Sequence, residues 1–157
     1  MTIPPVTVML PVFTGRKRNQ QIATWVFVDS DALERLGDIA LRLGTHGYAV
    51  IRGAGRQLLH RAIVGLTDGD GRVVDHINRD RLNCTQRNLR VGTQAENMQN
   101  LPRSPYCGTS RNHKRWCAQI KVDGESRYLG TYDTREEAAA VARAARVEHY
   151  AFTTESA

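Results

Sequence analysis

The 157-residue chain has few cysteines and no long apolar run. Its three cysteines, Cys84, Cys107 and Cys117, are an odd number and include no C-x-x-C pair. This pattern argues against a disulfide framework and against a four-cysteine zinc site, so we expect free thiols. No apolar stretch approaches the ~20 residues of a membrane-spanning helix, and we therefore expect no membrane segment.

The amino-terminal stretch 1–13 is apolar, but it lacks the basic region with which a signal peptide begins. We therefore expect a cytoplasmic protein. Pro4, Pro5 and Pro11 argue against regular structure within residues 1–21. The basic run at residues 16–18 fits either contacts to phosphate or a solvated loop.

The positive charge of the chain is spread evenly. The net charge is +6 and the isoelectric point is near 9.6. Residues 1–70 carry 8 basic and 6 acidic side chains, residues 71–100 carry 5 and 3, and residues 101–157 carry 9 and 7, so that each segment is +2. This balance suggests a nucleic-acid partner with contacts distributed along the chain, although many basic proteins bind none.

The leader, residues 1–70, shows short alternating elements after residue 21. The runs ATWVFVD and GYAVIR predict strands. The run SDALERLG predicts a helix, with Asp31 and Glu34 at cap spacing and Gly37 as its end. Residues 56–59 after Gly55 could form a hairpin with the second strand. The run LLHRAIVGL predicts another short helix.

The most informative stretch is residues 73–100. Asp75 and His76 end a short apolar run, Asn88 follows in a polar loop, and Asn97 lies near a helix start. The helix is predicted by the Thr93-x-x-Glu96 spacing, which is that of a capping box. The order is therefore strand, loop, short strand and helix. Taken singly, each residue has an ordinary structural explanation as a turn former or a solvated side chain.

Together, these residues resemble the HNH endonuclease motif, the ββα-metal fold in its Asp-His…Asn…Asn form. The resemblance rests on the VDHI strand, the loop INRDRLNCTQ, the tripeptide NLR and the helix ending in ENMQN. It implies catalytic roles for Asp75, His76, Asn88 and Asn97. Asp75 and Asn97 would hold one divalent metal, Mg²⁺ or Mn²⁺, for which their oxygens are suitable ligands. His76 would be the general base, and Asn88 would brace the loop.

The leader also resembles that of phage-type HNH homing nucleases, through Val28-Asp29, Gly47 to Val50, and Leu59-His60-Arg61. The resemblance implies a bacterial or phage-infected cell as the setting. We expect Arg61 to contact phosphate. His60 could approach the active site and contact phosphate, or it could be a structural histidine of the helix.

The sequence of residues 101–157 predicts a linker at 101–105, followed by three strands and one helix. WCAQIKV alternates, with Trp116, Ala118, Ile120 and Val122 on one face. Asp123-Gly124 is a hairpin signal. Thr134 and Glu137 form a capping box for a helix that runs to about His149 and carries a stripe of alanines.

This region resembles the ethylene-response-factor (APETALA-two) DNA-binding domain. The resemblance rests on Tyr106-x-Gly108, the Trp116-x-Ala118-x-Ile120 strand, Tyr128 to Tyr132, and the helix EEAAAVARAA. It implies that the sheet face opposite the helix contacts the major groove of DNA. The expected DNA-binding residues are Arg111, Asn112, Lys114, Arg115, Gln119, Lys121 and Tyr128. Cys107 and Ser110 occupy positions where the family has arginines, so its base specificity does not transfer.

We therefore predict an α+β chain: a leader at 1–70, an HNH ββα-metal core at 71–100 within a functional unit of about 22–100, and a DNA-binding domain at 106–152. That last domain would be a three-stranded antiparallel sheet packed on one helix. The expected function is metal-dependent cleavage of double-stranded DNA by a phage or mobile-element homing nuclease, acting as a monomer or weak dimer without a small-molecule cofactor. The alternatives are a DNA-binding regulator with an inactive nuclease scaffold, and an RNA-cleaving toxin.

Overall fold

The computed structural model describes residues 5–15, 17–53, 55, 57–67 and 69–154, and it confirms the predicted α+β fold. The chain divides into a first unit that ends at Gln94 and a second unit that begins at Ala95. Within the described residues, no helix combines the length and apolar character needed to cross a membrane.

The first unit contains a four-stranded sheet, a two-stranded sheet and two short helices. The strand order of the larger sheet is β2-β1-β3-β4, with β1 antiparallel to β2 and parallel to β3. Strands β5 and β6 form the antiparallel pair. The elements are β1 (Thr7–Thr14), β2 (Gln21–Asp29), α1 (Ser30–Leu36), β3 (Leu41–Leu43), β4 (Ala49–Ile51), α2 (Leu59–Ile63), β5 (Val73–His76) and β6 (Leu89–Gly92).

Strand β1 contradicts the expectation that residues 1–21 lack regular structure. It is eight residues long and includes Pro11. Pro11 stands opposite Trp25 of β2, whereas β3 pairs only with Val12 and Phe13. The strand therefore has a single neighbour at Pro11, where a missing backbone N–H is tolerated. Of the basic run at residues 16–18, Arg16 lies outside the described residues.

Helix α1 forms where the sequence predicts it and ends at Gly37, whose φ of 70° is the left-handed conformation that glycine favours. The predicted cap at Asp31 is wrong, because Asp31 lies inside the helix. The N-cap residue is Asp29, which makes no side-chain cap bond. The Asp29 carboxylate accepts instead from the Gln86 N–H at 2.7 Å. Asp31 pairs with Arg35, which lowers the pKa of its carboxyl group.

The predicted hairpin after β4 is present only as a short contact. Val50 and Leu58 form an isolated bridge, and the Ile51 N–H donates to the Gln57 carbonyl at 2.9 Å. Ala54 and Arg56 lie outside the described residues.

One hydrophobic core joins the leader to the two-stranded sheet. Val12, Val26, Leu41 and Leu59 are fully buried, and Cys84 from the β5–β6 connection packs among them. Fully burying a Leu or Val side chain contributes about 1.5–3 kcal/mol. Residues 1–70 and the β5–β6 pair therefore depend on the same packing for their stability.

The three strands and one helix predicted after residue 105 are confirmed. The sheet order of the second unit is β7-β8-β9, both pairs antiparallel. Asp123 and Gly124 both have positive φ, at 52° and 87°, as expected for the tight hairpin turn between β8 and β9. The elements are α3 (Gln94–Gln99), β7 (Thr109–Asn112), β8 (Arg115–Val122), β9 (Glu125–Tyr132) and α4 (Arg135–His149).

Helix α4 packs on the sheet through small side chains. Thr134 and Glu137 form the predicted capping box at its start. Ala138 and Ala142 are fully buried against Ala118 of β8. Small side chains permit this close approach of a helix to a sheet.

The segment 101–105, expected to be a linker, packs within the second unit. Arg103 donates from Nη2 to the Met98 carbonyl at 3.1 Å, and its guanidinium lies 5.5 Å from the Tyr150 ring centre. The chain after α4 returns to the end of α3. There the Phe152 N–H donates to Gln99 Oε1, and the Thr154 hydroxyl donates to Asn100 Oδ1, both at 3.1 Å.

Candidate active site and DNA-binding surface

Strands β5 and β6 position the predicted active-site residues at the end of a two-stranded ladder. In the register, Asp75 stands opposite Arg90, and His76 opposite Leu89. Both Asp75 and His76 are buried. The predicted VDHI strand and the short strand begun by NLR are therefore present.

The loop between these strands is built from side chains that bond to nearby backbone groups. Asn78 Oδ1 accepts from the Asp80 N–H at 2.9 Å, and Asp80 Oδ1 accepts from the Leu82 N–H at 3.0 Å. Arg79 has a φ of 64°, and its N–H donates to the His76 carbonyl. Asn and Asp favour such local turns, which explains the polar composition of the loop.

Asn88 ties the two ends of this loop together. Its Oδ1 accepts from the Asn78 N–H at 3.0 Å, and its Nδ2 donates to the Asn83 carbonyl at 2.7 Å. Its own carbonyl accepts from the Ile77 N–H at 2.9 Å. This is the bracing geometry that the sequence analysis expects of Asn88. Its effect on catalysis stays a prediction.

His76 lies in a cluster of aromatic and sulfur-containing side chains. Its ring centre is 5.0 Å from that of His60 and 5.9 Å from that of Tyr48, and its Nε2 is 3.8 Å from Cys84 Sγ. Burial lowers the pKa of His76, and the nearby Asp75 and Asp80 oppose that change. A neutral imidazole at ordinary pH is able to accept a proton.

His60 is part of the same cluster and is 5% exposed. Burial, followed by the influence of His76, lowers its pKa to about 3. Its Nδ1 is buried and has no hydrogen-bond partner among the described residues. Burial also raises the pKa of the Cys84 thiol to about 12, so the thiol stays protonated. His60 therefore approaches the candidate active site, and its burial favours a structural role over a contact with phosphate.

The partner of Asp75 is not among the residues predicted from the sequence. Arg90 donates from Nε at 2.8 Å and from Nη2 at 2.7 Å to the same oxygen, Asp75 Oδ2. The sequence does contain a signal for this pair, because pairing VVDH with LRVG as a hairpin places Asp75 opposite Arg90. Tyr48 and Arg81 are also absent from the predicted site, and the Arg81 guanidinium carbon lies 5.1 Å from the Tyr48 ring centre.

The predicted ligand types suit a hard cation more than a structural zinc ion. Asp75 would offer a carboxylate and Asn97 an amide oxygen, and Mg²⁺ is commonly bound by one or two carboxylates together with water and phosphate. Within the described part of the chain, no three His, Cys, Asp or Glu side chains converge on a possible metal position. Any metal bound at Asp75 would share its carboxylate with Arg90.

Asn97 is half-buried in α3, as expected for a residue near the start of that helix. It belongs to the second unit, whereas Asp75 belongs to the first. That Asp75 and Asn97 bind the same metal ion stays a prediction.

Arg61, the expected phosphate contact of the leader, holds a turn of its own chain. Its Nη1 donates to the Arg72 carbonyl at 2.9 Å, and its Nη2 donates to the Thr67 carbonyl at 2.5 Å. These bonds give Arg61 a structural role. Its contact with phosphate stays a prediction.

The exposed sheet face of the second unit has the predicted alternation. Ala118 and Ile120 are buried, whereas Gln119 and Lys121 are exposed. Gln119 stands opposite Tyr128, which is 67% exposed. Three of the residues predicted to bind DNA therefore share one open face.

The other residues predicted to bind DNA surround the β7–β8 turn. Arg115 pairs with Asp133 at 2.9 Å, Arg111 donates from Nε to the His113 carbonyl at 3.1 Å, and Asn112 and Lys114 are exposed. Trp116 is half-buried on the helix side, in agreement with a core role. The guanidinium carbon of Arg135, a residue for which the sequence predicts no role, lies 4.9 Å from the Trp116 ring centre.

The family match covers part of the first unit and runs to the last residue of α3. Residues 57–99 match a family model described as HNH endonuclease, and this range contains Asp75, His76, Asn88 and Asn97. The chain is also 30% identical over 125 residues to "Uncharacterized HNH endonuclease L560" of Acanthamoeba polyphaga mimivirus. That alignment covers 75% of this chain and 66% of the relative. No solved structure matches significantly.

These matches identify an HNH endonuclease domain at residues 57–99 and confirm the resemblance to the HNH motif. The domain bounds expected from the sequence stay a prediction. The resemblance of residues 106–152 to the ethylene-response-factor domain stays a prediction.

Proposed function

We propose that the chain is a metal-dependent HNH endonuclease that hydrolyses phosphodiester bonds of double-stranded DNA. The observation that carries this proposal is the placement of His76. It lies beside Asp75 at the start of a loop braced by Asn88, and all three residues fall within the family match. Burial lowers the pKa of His76, which leaves its imidazole neutral and able to accept a proton from water.

Each residue of the motif has a distinct role in this proposal. His76 takes the proton of the attacking water, and Asn88 holds the loop that follows His76. Asp75 and Asn97 would ligate one Mg²⁺ or Mn²⁺ ion, which when bound stabilises negative charge on phosphate oxygens. Arg90 balances the charge of Asp75 and fixes its orientation through two bonds to Oδ2.

The second unit would supply recognition of the substrate. Its exposed face presents side chains that suit DNA. Lys and Arg bind phosphates and so position the protein, while Gln is able to form hydrogen bonds with the edge of a base. Arg61 would add a phosphate contact from the first unit. The proposed DNA-binding residues of the second unit are Arg111, Asn112, Lys114, Arg115, Gln119, Lys121 and Tyr128.

The biological setting proposed is a phage or mobile element that uses the enzyme for homing. One active site per chain predicts a single nick per binding event unless two copies act on one duplex. The direct test is cleavage of DNA from the neighbourhood of the protein's own gene, with Mg²⁺, with Mn²⁺ and with a chelator. Folded protein that cuts none of several DNA substrates in any metal would overturn the proposal.

A second candidate function is DNA binding with an inactive nuclease scaffold. The observation that favours it is the ion pair between Arg90 and Asp75, which occupies the carboxylate expected to hold a metal. Binding without cleavage, with the same affinity after His76→Ala, would support this candidate. An RNA-cleaving function is separated from both by a parallel assay on RNA and DNA of the same sequence.

A further inference from the structure

The second unit contains a basic cleft that the proposed active site does not use. The cleft has a volume of about 270 Å³ and lies beside β8 and the end of α4. Three of its lining side chains are cationic, namely Arg103, Lys121 and Arg146, and none of the described residues that line it is acidic. A cleft lined by charges of one sign concentrates the electric field and attracts the opposite charge.

Arg146 is the most buried of the three cations, at 2% exposed. Its Nη1 donates to the Cys107 carbonyl at 2.9 Å. Gly108, next to Cys107, has a φ of 83°, and an added Cβ there would lie 2.5 Å from the Gln119 carbonyl oxygen. A glycine at this position therefore allows the close approach of the backbone to β8 beside the cleft.

Arg103 also contacts Cys107. Its Nη1 donates to Cys107 Sγ at 3.8 Å, so that two guanidinium groups converge on Cys107. Its Nε is buried and has no hydrogen-bond partner among the described residues. A buried N–H without a partner is costly, and an acceptor from a ligand would remove that cost.

Lys121 connects the cleft to the exposed sheet face. It lies on the face with Gln119 and Tyr128, and it also lines the cleft. The Tyr150 hydroxyl donates to the Lys121 carbonyl at 2.9 Å, which fixes one wall of the cleft against β8. A ligand in the cleft would therefore be held next to the residues proposed to read DNA.

We propose that this cleft binds a backbone phosphate of DNA, with Arg103 and Lys121 as its ligands and the buried Arg146 as an additional positive charge in its lining. The inference rests on the proposed function, because it takes DNA as the partner. Guanidinium groups bind phosphate oxygens through paired, charge-assisted hydrogen bonds. A phosphate fixed at the edge of the sheet would set the register of Gln119 and Tyr128 along the duplex, since backbone contacts position a protein and base contacts specify the sequence.

The test compares Arg103→Gln with Arg143→Gln in the full-length chain. Arg143 is exposed on α4 and does not line the cleft, so its replacement removes the same charge from the same unit. DNA binding is measured as a function of salt concentration in a chelator, so that no cleavage occurs. Inorganic phosphate is titrated in parallel against the amide resonances of Cys107, Gly108 and Lys121. Circular dichroism and thermal unfolding check the fold of each variant.

We expect Arg103→Gln to reduce the log–log salt slope by about 0.9, the value for one phosphate contact. Its affinity for DNA should fall by roughly tenfold, as for the loss of one charged hydrogen bond. Arg143→Gln should leave the slope unchanged. Inorganic phosphate should shift the three amide resonances in the wild type and shift them less in Arg103→Gln.

Equal slopes for the two variants would overturn the assignment to DNA. If phosphate nevertheless shifts the resonances, the cleft is a site for small anions only. If the wild type cuts DNA and Arg103→Gln keeps the wild-type salt slope, the phosphate site in the cleft is refuted, whereas the nuclease function is not. If the wild type does not cut DNA but the salt slope falls in Arg103→Gln, the nuclease function is refuted, whereas the phosphate site in the cleft is not.

Discussion

The two units differ in where they place their polar side chains. Of the eight described polar or charged residues that are buried, six belong to the first unit, including Asp75, His76 and Asn88. The second unit buries alanines and Ile120 between its helix and sheet and leaves Gln119 exposed on the opposite face. Buried polar groups must be held by partners, whereas exposed ones are free to meet a ligand.

This difference matches the two tasks proposed for the chain. Proton transfer needs a histidine whose protonation state and orientation are controlled, and burial in the first unit supplies that control. Recognition of DNA needs long polar side chains that reach into a groove, and an open sheet face supplies them. Substitutions in each unit test this division between a buried chemical centre and an exposed recognition surface.

The largest effect is expected for His76→Ala, which removes the proposed general base. We predict that the rate of DNA cleavage falls by about 10²–10⁴, which is typical for such a loss. DNA affinity should stay near that of the wild type, because His76 is buried. Single-turnover cleavage and a binding assay measure the two quantities. His149→Ala, at an exposed position on α4, is the matched control. Cleavage within a few-fold of the wild type would exclude His76 as the base.

The next largest effect concerns the proposed metal ligands. Asp75→Ala should raise the Mg²⁺ concentration at half-maximal cleavage more than Asn97→Ala does, because Asp75 brings a full charge and Asn97 only a dipole. Excess metal should partly restore Asn97→Ala. Asp75→Asn, which keeps the shape of the side chain, checks that an unpaired Arg90 does not simply unfold the first unit. Equal metal midpoints for both alanine variants and the wild type would contradict the ligand assignment.

The stability of the first unit should depend on pH through His60. The pKa of His60 is lowered to about 3 in the folded chain, whereas the unfolded chain would bind the proton near pH 6.5. The free energy of unfolding should therefore be fully retained above pH 6.5 and fall as the pH drops towards 3. One proton accounts for at most about 1.4 kcal/mol per pH unit.

His60→Phe, which keeps a ring at this position, should make the pH dependence shallower. Chemical denaturation between pH 4 and 7 measures it, with His149→Gln as the exposed control. An identical pH dependence for His60→Phe and the wild type would show that His60 is not held neutral by the fold.

A smaller effect is expected in the second unit from Gly108→Ala. The left-handed backbone and the close carbonyl of Gln119 both oppose a side chain there. We predict a loss of about 2 kcal/mol in the free energy of unfolding. Gly71→Ala is the control, because an added Cβ would meet nothing within 4 Å and the backbone is not left-handed. Equal unfolding midpoints for the two variants would show that the backbone at Gly108 relaxes freely.

Local patterns predicted much of the fold and part of the candidate site. The order of Asp75, His76 and Asn88 within a strand–loop–strand pattern is local, and the capping box at Thr134 is local as well. The proximity of His60, Tyr48 and Cys84 to His76 arises from tertiary packing, which no spacing in the sequence encodes. Strand β1 was missed because Pro11 penalises a strand in general, whereas its actual position has only one neighbouring strand.

The anchoring of α3 by the carboxy-terminal residues has a consequence for protein engineering. Phe152 and Thr154 bond to Gln99 and Asn100, just after the residue proposed as a metal ligand. A chimera joined within residues 101–105 would combine α3 with a foreign tail and remove both bonds. A chimera joined before Gln94 would transfer the whole helix and its anchors together. The exchangeable module therefore includes one element of the predicted catalytic motif, and a natural recombination that swaps target preference would be expected to exchange that helix as well.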